Sequence, residues 1–198
     1  YVPTKEERTA ALSFKGVEEL ELDEEAGTAR LPRSGMALDL GALAKGYMAD
    51  MLKAFLMEKG CTSAVLDLGH NILLIGEKPG RNPFSIGVRD PEGGEGDISV
   101  VLYARDVSIV TSGTYERFFE RDGVRYAHIL DPYTGAPADT GVSSVTIISQ
   151  NSLSGDALST TCLLLGKERG LALIESLENV EALFLMEDGT RTMSSGFE

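Results

Sequence analysis

Apolar residues recur at intervals of three and four along the stretch GALAKGYMADMLKAFLMEKG, residues 41–60. This spacing places them on one face of an α-helix, and a glycine at position 60 is typical of a helix end. The stretch therefore predicts a long helix whose N-terminus lies beside Asp39, Gly41 and Gly46. Two more helices are expected at residues 154–165 and 168–175.

β-Branched and alternating apolar residues between turn signals predict strands along most of the remaining chain. We expect an early hairpin from residues 18–22 and 28–31, and a last one that turns at Asp188-Gly189. The other strand-forming stretches are SAVLDLGHNILLIG at 63–76, broken by GHN, the segments 84–88, 98–103 and 107–110, and SSVTIIS at 143–149. Strands outnumber helices and most are joined by turns, which predicts an α+β fold with a largely antiparallel sheet packed with helices.

Length and charge narrow the classes of protein and partner. The 198 residues are enough for a single domain, residues 1–198. The formal net charge of −13 disfavours nucleic acid and anionic membrane surfaces as main partners. No run approaches the roughly 18 consecutive apolar residues of a membrane-spanning helix. Cys61 and Cys162 fit no metal-ligand spacing and are too few for a disulfide framework, so we expect two free, largely buried thiols.

The stretch MALDLGALAKGYMAD, residues 36–50, is the first candidate for chemistry. A glycine-bearing loop that enters a helix exposes backbone N–H groups and the positive end of the helix dipole, which suits a phosphate. Lys45 adds a compact cation. The alternative is that the glycines serve packing and that Lys45 is solvated.

The stretch GDALST places Asp156 and Thr160 four residues apart. On a helix, this spacing brings a carboxylate and a hydroxyl to one face, and both are hard oxygen ligands suited to Mg²⁺ or Ca²⁺. The alternative is that Asp156 interacts with the helix dipole and that Thr160 bonds to its own backbone.

The stretch VTSGTYERF contains the small residues Thr111, Ser112 and Gly113 after an apolar strand. They predict a tight strand-to-helix corner at which a ligand could approach the backbone. The alternative is a turn without any function.

The stretch HILDPYTG follows a predicted strand end and contains one of the two histidines of the chain. A histidine beside a rigid turn is placed for general acid or base catalysis, since its ordinary pKa lies near neutrality. The turn holds Asp131 near His128. The alternative is a structural histidine.

Taken together and in this order, these stretches resemble the ApbE family of FAD:protein FMN transferases. The family pattern runs roughly D-L-G-G-I-A-K-G-Y-x-x-D, L-G-G-N, T-S-G-x-Y, H-I-I-D-P-x-T-G and A-D-A-L-S-T. It appears here as DLGALAKGYMAD, LGHN, TSGTY, HILDPYTG and GDALST, and GFE at 196–198 also fits. The resemblance covers almost the whole chain. His70 stands where the pattern has the second glycine of LGGN.

The resemblance implies an enzyme that uses Mg²⁺ to cleave FAD, attaches FMN to a threonine of an acceptor flavoprotein and releases AMP. It implies that the metal ligands are the Ala42 carbonyl, Asp156 and Thr160. It implies that FAD is bound by Asp39, Lys45, the backbone at Leu130, and Thr111, Ser112 and Gly113. Within this chemistry, His128 is the neutral base that takes the threonine proton, and Asp131 orients its imidazole.

The resemblance also implies where the protein works. Family members carry a further N-terminal part with a lipoprotein or secretion signal and some of the flavin-binding surface, so this chain is expected to match their C-terminal portion. We expect an extracytoplasmic, periplasmic or membrane-anchored protein, with membrane association only through a lipid anchor missing from this chain. Two alternatives stay open: an FAD pyrophosphatase that gives FMN and AMP, and a flavin-binding protein without catalysis.

Overall fold

The computed structural model describes residues 1–94, 96–115 and 117–197. Glu95, Glu116 and Glu198, the last two within the quoted stretches VTSGTYERF and GFE, lie outside the described residues. The helices are α1 (Lys5–Leu12), α2 (Ala44–Glu58) and α3 (Ser152–Glu175). The strands are β1 (Glu21–Asp23), β2 (Thr28–Arg30), β3 (Ser63–Asp67), β4 (Asn71–Gly76), β5 (Phe84–Arg89), β6 (Ile98–Ala104), β7 (Ser108–Gly113), β8 (Phe118–Arg121), β9 (Val124–Ala127), β10 (Val142–Ser149), β11 (Glu181–Met186) and β12 (Arg191–Met193).

A six-stranded sheet forms the centre of the fold. Its strand order is β12-β11-β10-β7-β4-β3, and each neighbouring pair is antiparallel. The other strands form the two-stranded hairpins β1–β2, β5–β6 and β8–β9. The predicted α+β fold with a largely antiparallel sheet is thereby confirmed. Among the described helices, none is both long and apolar enough to span a bilayer.

The central sheet is buried on both faces, since side chains alternate between the faces along each strand. In β11, Phe184 packs in one cluster with Leu163 of α3. Its neighbour Leu183 joins a second cluster that contains Phe84 and Leu102 of hairpin β5–β6. Helix α3 therefore covers one face and hairpin β5–β6 covers the other.

Both cysteines are free thiols, as the sequence predicts. Cys162 is buried among the core residues on the α3 side of the sheet. This burial raises the pKa of the Cys162 thiol to about 11, so the thiol is protonated at neutral pH. Cys61 is only half-buried, which differs from the expectation.

The predicted helices form, with shifted ends. Helix α2 lies inside the predicted range 41–60. The two predicted C-terminal helices form one element, α3, but its backbone leaves helical geometry at Gly166, with φ 75° and ψ 176°. This break lies between the two predicted segments. Helix α1 is an addition to the predicted elements, and its start is fixed by a capping box between Thr4 and Glu7.

Two local predictions are wrong. Thr111, Ser112 and Gly113 do not form a strand-to-helix corner: they end β7, pair with β10, and lead into hairpin β8–β9. The hydrogen bonding of the sheet continues through these small residues, so they remain in a strand where their composition predicts a turn. The predicted strand at 18–22 begins late, because residues Val17–Glu19 form a 3₁₀ turn before β1.

The N-terminal ends of α2 and α3 lie in close contact. A Cβ atom built on Gly46 would lie 2.3 Å from the carbonyl oxygen of Ser152, so the contact has no room for a side chain at position 46. One turn further along α2, the Asp50 carboxylate accepts hydrogen bonds from the backbone N–H groups of Ser152 (2.8 Å) and Leu153 (2.9 Å). A carboxylate at the free N–H groups of a first turn stabilises the helix start. Asp50 therefore fastens α2 to the start of α3.

We expect Gly46→Ala to lower the free energy of unfolding by about 1 to 3 kcal/mol, although alanine favours helices more than glycine does. The added methyl group would have to displace a backbone carbonyl in a packed contact. Urea denaturation measures the change. Gly94→Ala is the control, because its Cβ would meet no atom closer than 3.4 Å. Equal stability of the two variants would contradict the tight contact.

Candidate functional site

A cavity of about 810 Å³ lies where the starts of α2 and α3 meet the end of β7 and the segment after β9. It brings together nearly all the residues that the sequence analysis selected, although they come from four separate stretches. The selected residues that line it are Asp39, Ala42, Lys45, Thr111, Ser112, Gly113, His128, Leu130, Asp156 and Thr160. A cavity of this size is within the usual range for a small-molecule ligand.

Asp156 connects the two helices at the base of this cavity. Its side chain is buried, at 4% exposure, and its Oδ2 accepts a hydrogen bond from the backbone N–H of Gly46 at 2.7 Å. In a regular helix that N–H would donate to the carbonyl four residues earlier, which is Ala42. Among the described residues, the Ala42 carbonyl accepts no hydrogen bond. The Gly46 N–H thus donates to the Asp156 carboxylate instead of the Ala42 carbonyl. The Ala42 carbonyl is therefore left open.

Hydroxyl groups join β7 to α3 beside Asp156. The Ser112 Oγ lies 2.8 Å from the Ser159 Oγ and 3.1 Å from the Thr160 Oγ1. Ser159 also donates a hydrogen bond to the backbone carbonyl of Asp156 at 3.0 Å. These bonds fix the Thr160 side chain on the same side of α3 as Asp156, as their four-residue spacing predicts.

Asp39 and Lys45 flank the start of α2. Asp39 Oδ1 accepts a hydrogen bond from the N–H of Gly41 at 2.7 Å and so shapes the loop before the helix. The Lys45 Nζ donates to the Gly69 carbonyl at 3.2 Å, which holds the ammonium group against the turn between β3 and β4. Lys45 therefore adds a positive charge to the cavity wall without an ion pair to a described carboxylate.

His128 comes directly after β9 and is held by one backbone carbonyl. Its N–H donates to the Arg117 carbonyl at 3.0 Å, and its ring Nδ1 lies 3.1 Å from the same oxygen. A carbonyl oxygen can only accept, so Nδ1 carries the proton. The neutral ring then has its accepting lone pair on Nε2, the state that a general base requires.

Asp131 forms no hydrogen bond with the described His128 imidazole. Its Oδ1 accepts hydrogen bonds from the backbone N–H groups of Tyr133 (2.9 Å) and Thr134 (2.7 Å). These bonds, first that from Thr134, hold the pKa of the carboxyl below its ordinary value. The expectation that Asp131 orients His128 is corrected here, because the Arg117 carbonyl occupies that position. Asp131 instead stabilises the DPYTG turn, and a direct catalytic role for it stays a prediction.

Two charged or ionisable residues of the cavity wall were not among the selected site residues. His70 has a backbone φ of 60°, in the left-handed region that favours glycine, and its carbonyl accepts a hydrogen bond from Thr111 at 2.8 Å. The GHN turn signal marked its position but gave no role. Arg117 lines the cavity as well, and no spacing pattern in the sequence singles it out.

The oxygen donors of the cavity suit a hard divalent cation. Within the described part of the chain, no three His, Cys, Asp or Glu side chains are grouped so as to hold a metal. Ala42, whose carbonyl is open, Thr160 and Asp156 all line the cavity. Mg²⁺ typically binds one or two carboxylates and completes its shell with water and ligand phosphates. The donor set fits this kind of site.

The sequence matches the family model described as the ApbE family over residues 1–184. It is 46% identical over 177 residues to a FAD:protein FMN transferase of Treponema pallidum, covering 85% of this chain and 49% of that protein. It is 39% identical over 194 residues to a FAD:protein FMN transferase of Klebsiella pneumoniae, covering 98% of this chain and 60% of that protein.

Solved structures agree with these matches. The ApbE protein of Thermotoga maritima superposes with a TM-score of 0.91 at 36% identity, covering 100% of this chain and 63% of that one. The flavin transferase ApbE of Vibrio cholerae gives a TM-score of 0.86 at 31% identity, covering 100% and 62%. The chain thus spans 49% to 63% of the length of these four relatives. On sequence and fold together, the chain belongs to the ApbE family.

Proposed function

We propose that the protein is a FAD:protein FMN transferase that attaches FMN to a threonine of an acceptor flavoprotein and releases AMP. The observation that carries this proposal is the cavity in which a metal-type oxygen set, a lysine and a histidine with an accepting Nε2 lie together. The names of the relatives support FAD as the substrate. Because the chain spans only part of these relatives, its own activity is part of the proposal.

The proposed reaction is a phosphoryl transfer. The threonine oxygen of the acceptor attacks the phosphorus atom on the FMN side of the diphosphate. A new P–O bond forms, the P–O bond to AMP breaks, and AMP leaves with that oxygen. The hydroxyl proton goes to His128 Nε2. Such transfers depend mainly on positioning and on neutralising charge, and the rigid anchoring of His128 by the Arg117 carbonyl supports its role as the base.

Asp156, Thr160 and the Ala42 carbonyl would hold Mg²⁺. When bound, this ion neutralises charge on the diphosphate oxygens. The Asp156 carboxylate has two tasks in the proposal: Oδ2 keeps the Gly46 N–H away from Ala42, and Oδ1, which accepts no hydrogen bond within the described residues, is left for the cation.

The remaining wall of the cavity would bind the rest of FAD. Lys45 would neutralise phosphate charge, and Asp39 would accept hydrogen bonds from ligand hydroxyl or amino groups. The backbone at Leu130 and the small residues Thr111, Ser112 and Gly113 would let the ligand approach closely. The acceptor threonine, Mg²⁺ dependence and a location outside the cytoplasm, by secretion or a lipid anchor, stay predictions.

An FAD pyrophosphatase is a second candidate. His128 is solvent-exposed, so Nε2 could also take a proton from water, which would give free FMN and AMP. Incubation with FAD and Mg²⁺, with and without an acceptor flavoprotein, distinguishes the reactions. FMN on the acceptor threonine supports the transferase, whereas free FMN at equal rates in both samples supports the hydrolase.

We expect Asp156→Ala to abolish Mg²⁺-dependent FMN transfer, since it removes the carboxylate ligand and the acceptor of the Gly46 N–H. Asp156→Asn keeps an oxygen for that N–H but loses the charge, so it should retain the melting temperature and still lose activity. AMP release and acceptor flavin fluorescence measure both variants over a Mg²⁺ titration. Normal transfer by Asp156→Asn at saturating Mg²⁺ would remove Asp156 from the metal site.

We expect His128→Ala to slow FMN transfer by roughly 10² to 10⁴-fold with little change in FAD affinity, because a general base acts in the transition state. His128→Asn is the matched variant: its amide can still donate to the Arg117 carbonyl but cannot take a proton. Transfer rates at saturating FAD and acceptor, with melting curves, separate the roles. Near-normal turnover in a stably folded variant would rule out the base.

A further inference from the structure

Arg117 lies in the connection between β7 and β8, directly beside the proposed reaction centre. It lines the same cavity as Asp156 and Thr160. Its backbone carbonyl holds His128 through both the main-chain N–H and the ring Nδ1. The backbone of this residue is therefore fixed relative to the imidazole, and the start of its side chain is fixed with it.

The guanidinium of Arg117 forms no ion pair with a carboxylate among the described residues. Some other arginines, by contrast, are paired: Arg33 binds Glu19 at 2.7 Å, and Arg105 binds Glu77 at 3.1 Å. In a chain of net charge −13, an arginine at a cavity wall without such a pair keeps its N–H donors available for an anionic ligand. Guanidinium groups bind phosphate oxygens through two parallel hydrogen bonds.

The cavity receives its positive charge from two separate elements. Lys45 comes from α2 and is held on the Gly69 carbonyl, whereas Arg117 comes from the connection between β7 and β8. A diphosphate carries its charge on two phosphorus centres, and one ammonium group with one divalent ion leaves part of that charge without a partner. A second cation next to the base would stabilise the charge that develops during transfer.

We propose that the Arg117 guanidinium binds a phosphate group of the dinucleotide substrate, which rests on the proposed FMN transfer. The same residue then performs two tasks: its side chain fixes the phosphate, and its carbonyl fixes His128. Through this single residue, the position of the phosphorus atom is coupled to the position of the base. Arg117 is a ligand-binding residue in this assignment, and it also positions the base.

The test compares the binding of FAD with that of riboflavin, which has the same ring but no phosphate. Flavin fluorescence titrations in Mg²⁺ give the dissociation constants. Arg117→Ala should weaken FAD binding by about tenfold to a hundredfold, as expected for loss of a charged hydrogen-bonding partner, and should leave riboflavin binding unchanged. The FAD affinity of Arg117→Lys should lie between those of the wild-type protein and Arg117→Ala, because a lysine keeps the charge but cannot form two parallel hydrogen bonds to a phosphate.

Arg121→Ala is the matched control. Arg121 lies four residues away on β8, is exposed and lines no part of this cavity, so its removal changes the net charge equally. It should leave the FAD dissociation constant within about twofold of the wild-type value, because substitutions of exposed residues away from a site usually have small effects. Melting curves of all variants check the fold.

Two results would overturn the assignment: FAD binding by Arg117→Ala equal to that of Arg121→Ala, or an equal loss of FAD and riboflavin affinity, which indicates a structural role. The proposed function is tested separately by FMN transfer in the wild-type protein. A wild-type protein that binds FAD in an Arg117-dependent manner but transfers no FMN would overturn the function and support the phosphate contact.

Discussion

The hydrogen bond from the Gly46 N–H to Asp156 Oδ2 links the two helices on which the site is built. It replaces the helical bond that the Gly46 N–H would otherwise make to the Ala42 carbonyl. The bond is short, at 2.7 Å, and buried, where a charge-assisted hydrogen bond is strong. It can form only because position 46 has no side chain, since a Cβ would collide with the Ser152 carbonyl. The tightness of the helix contact and the openness of the Ala42 carbonyl therefore have one cause.

The central sheet positions the other residues of the cavity relative to α3. Helix α3 packs on β10, and the hydroxyl of Ser112 in β7 contacts Ser159 and Thr160 of α3. The position of β7 in turn sets where the chain enters hairpin β8–β9, whose end presents His128. The proposed base His128 and the oxygen donors of Ala42, Asp156 and Thr160 are thus far apart in sequence, but the fold brings them to one cavity. A site with pre-positioned groups of this kind needs little reorganisation when a ligand binds.

Patterns in the sequence predict the parts of this structure that local interactions determine. The spacing of apolar residues predicts α2, and the position of Gly166 between two helical patterns matches the break in α3. The resemblance to the ApbE family predicts that Asp39, Lys45 and Asp156 share a site, and all three line the cavity. The role of Asp131 and the end of β7 could not be predicted, because they depend on partners distant in sequence. The Asp131 carboxylate finds N–H groups in its own turn, and Thr111 to Gly113 stay extended because β10 pairs with them. Arg117 could not be predicted either. Its backbone carbonyl contacts His128, and its place in the cavity wall follows from the fold, so no pattern of side chains in the sequence marks it.

The most direct test of this account is a crystal structure of the protein with FAD and Mn²⁺. Mn²⁺ is used in place of Mg²⁺ because it gives an anomalous X-ray signal. The account predicts an anomalous peak within about 2.5 Å of the Asp156 carboxylate, the Thr160 hydroxyl and the Ala42 carbonyl. It also predicts that the diphosphate lies beside this peak and that the Gly46 N–H still donates to Asp156. A Mn²⁺ ion bound elsewhere in the FAD complex, or an Ala42 carbonyl bonded to the Gly46 N–H, would contradict it.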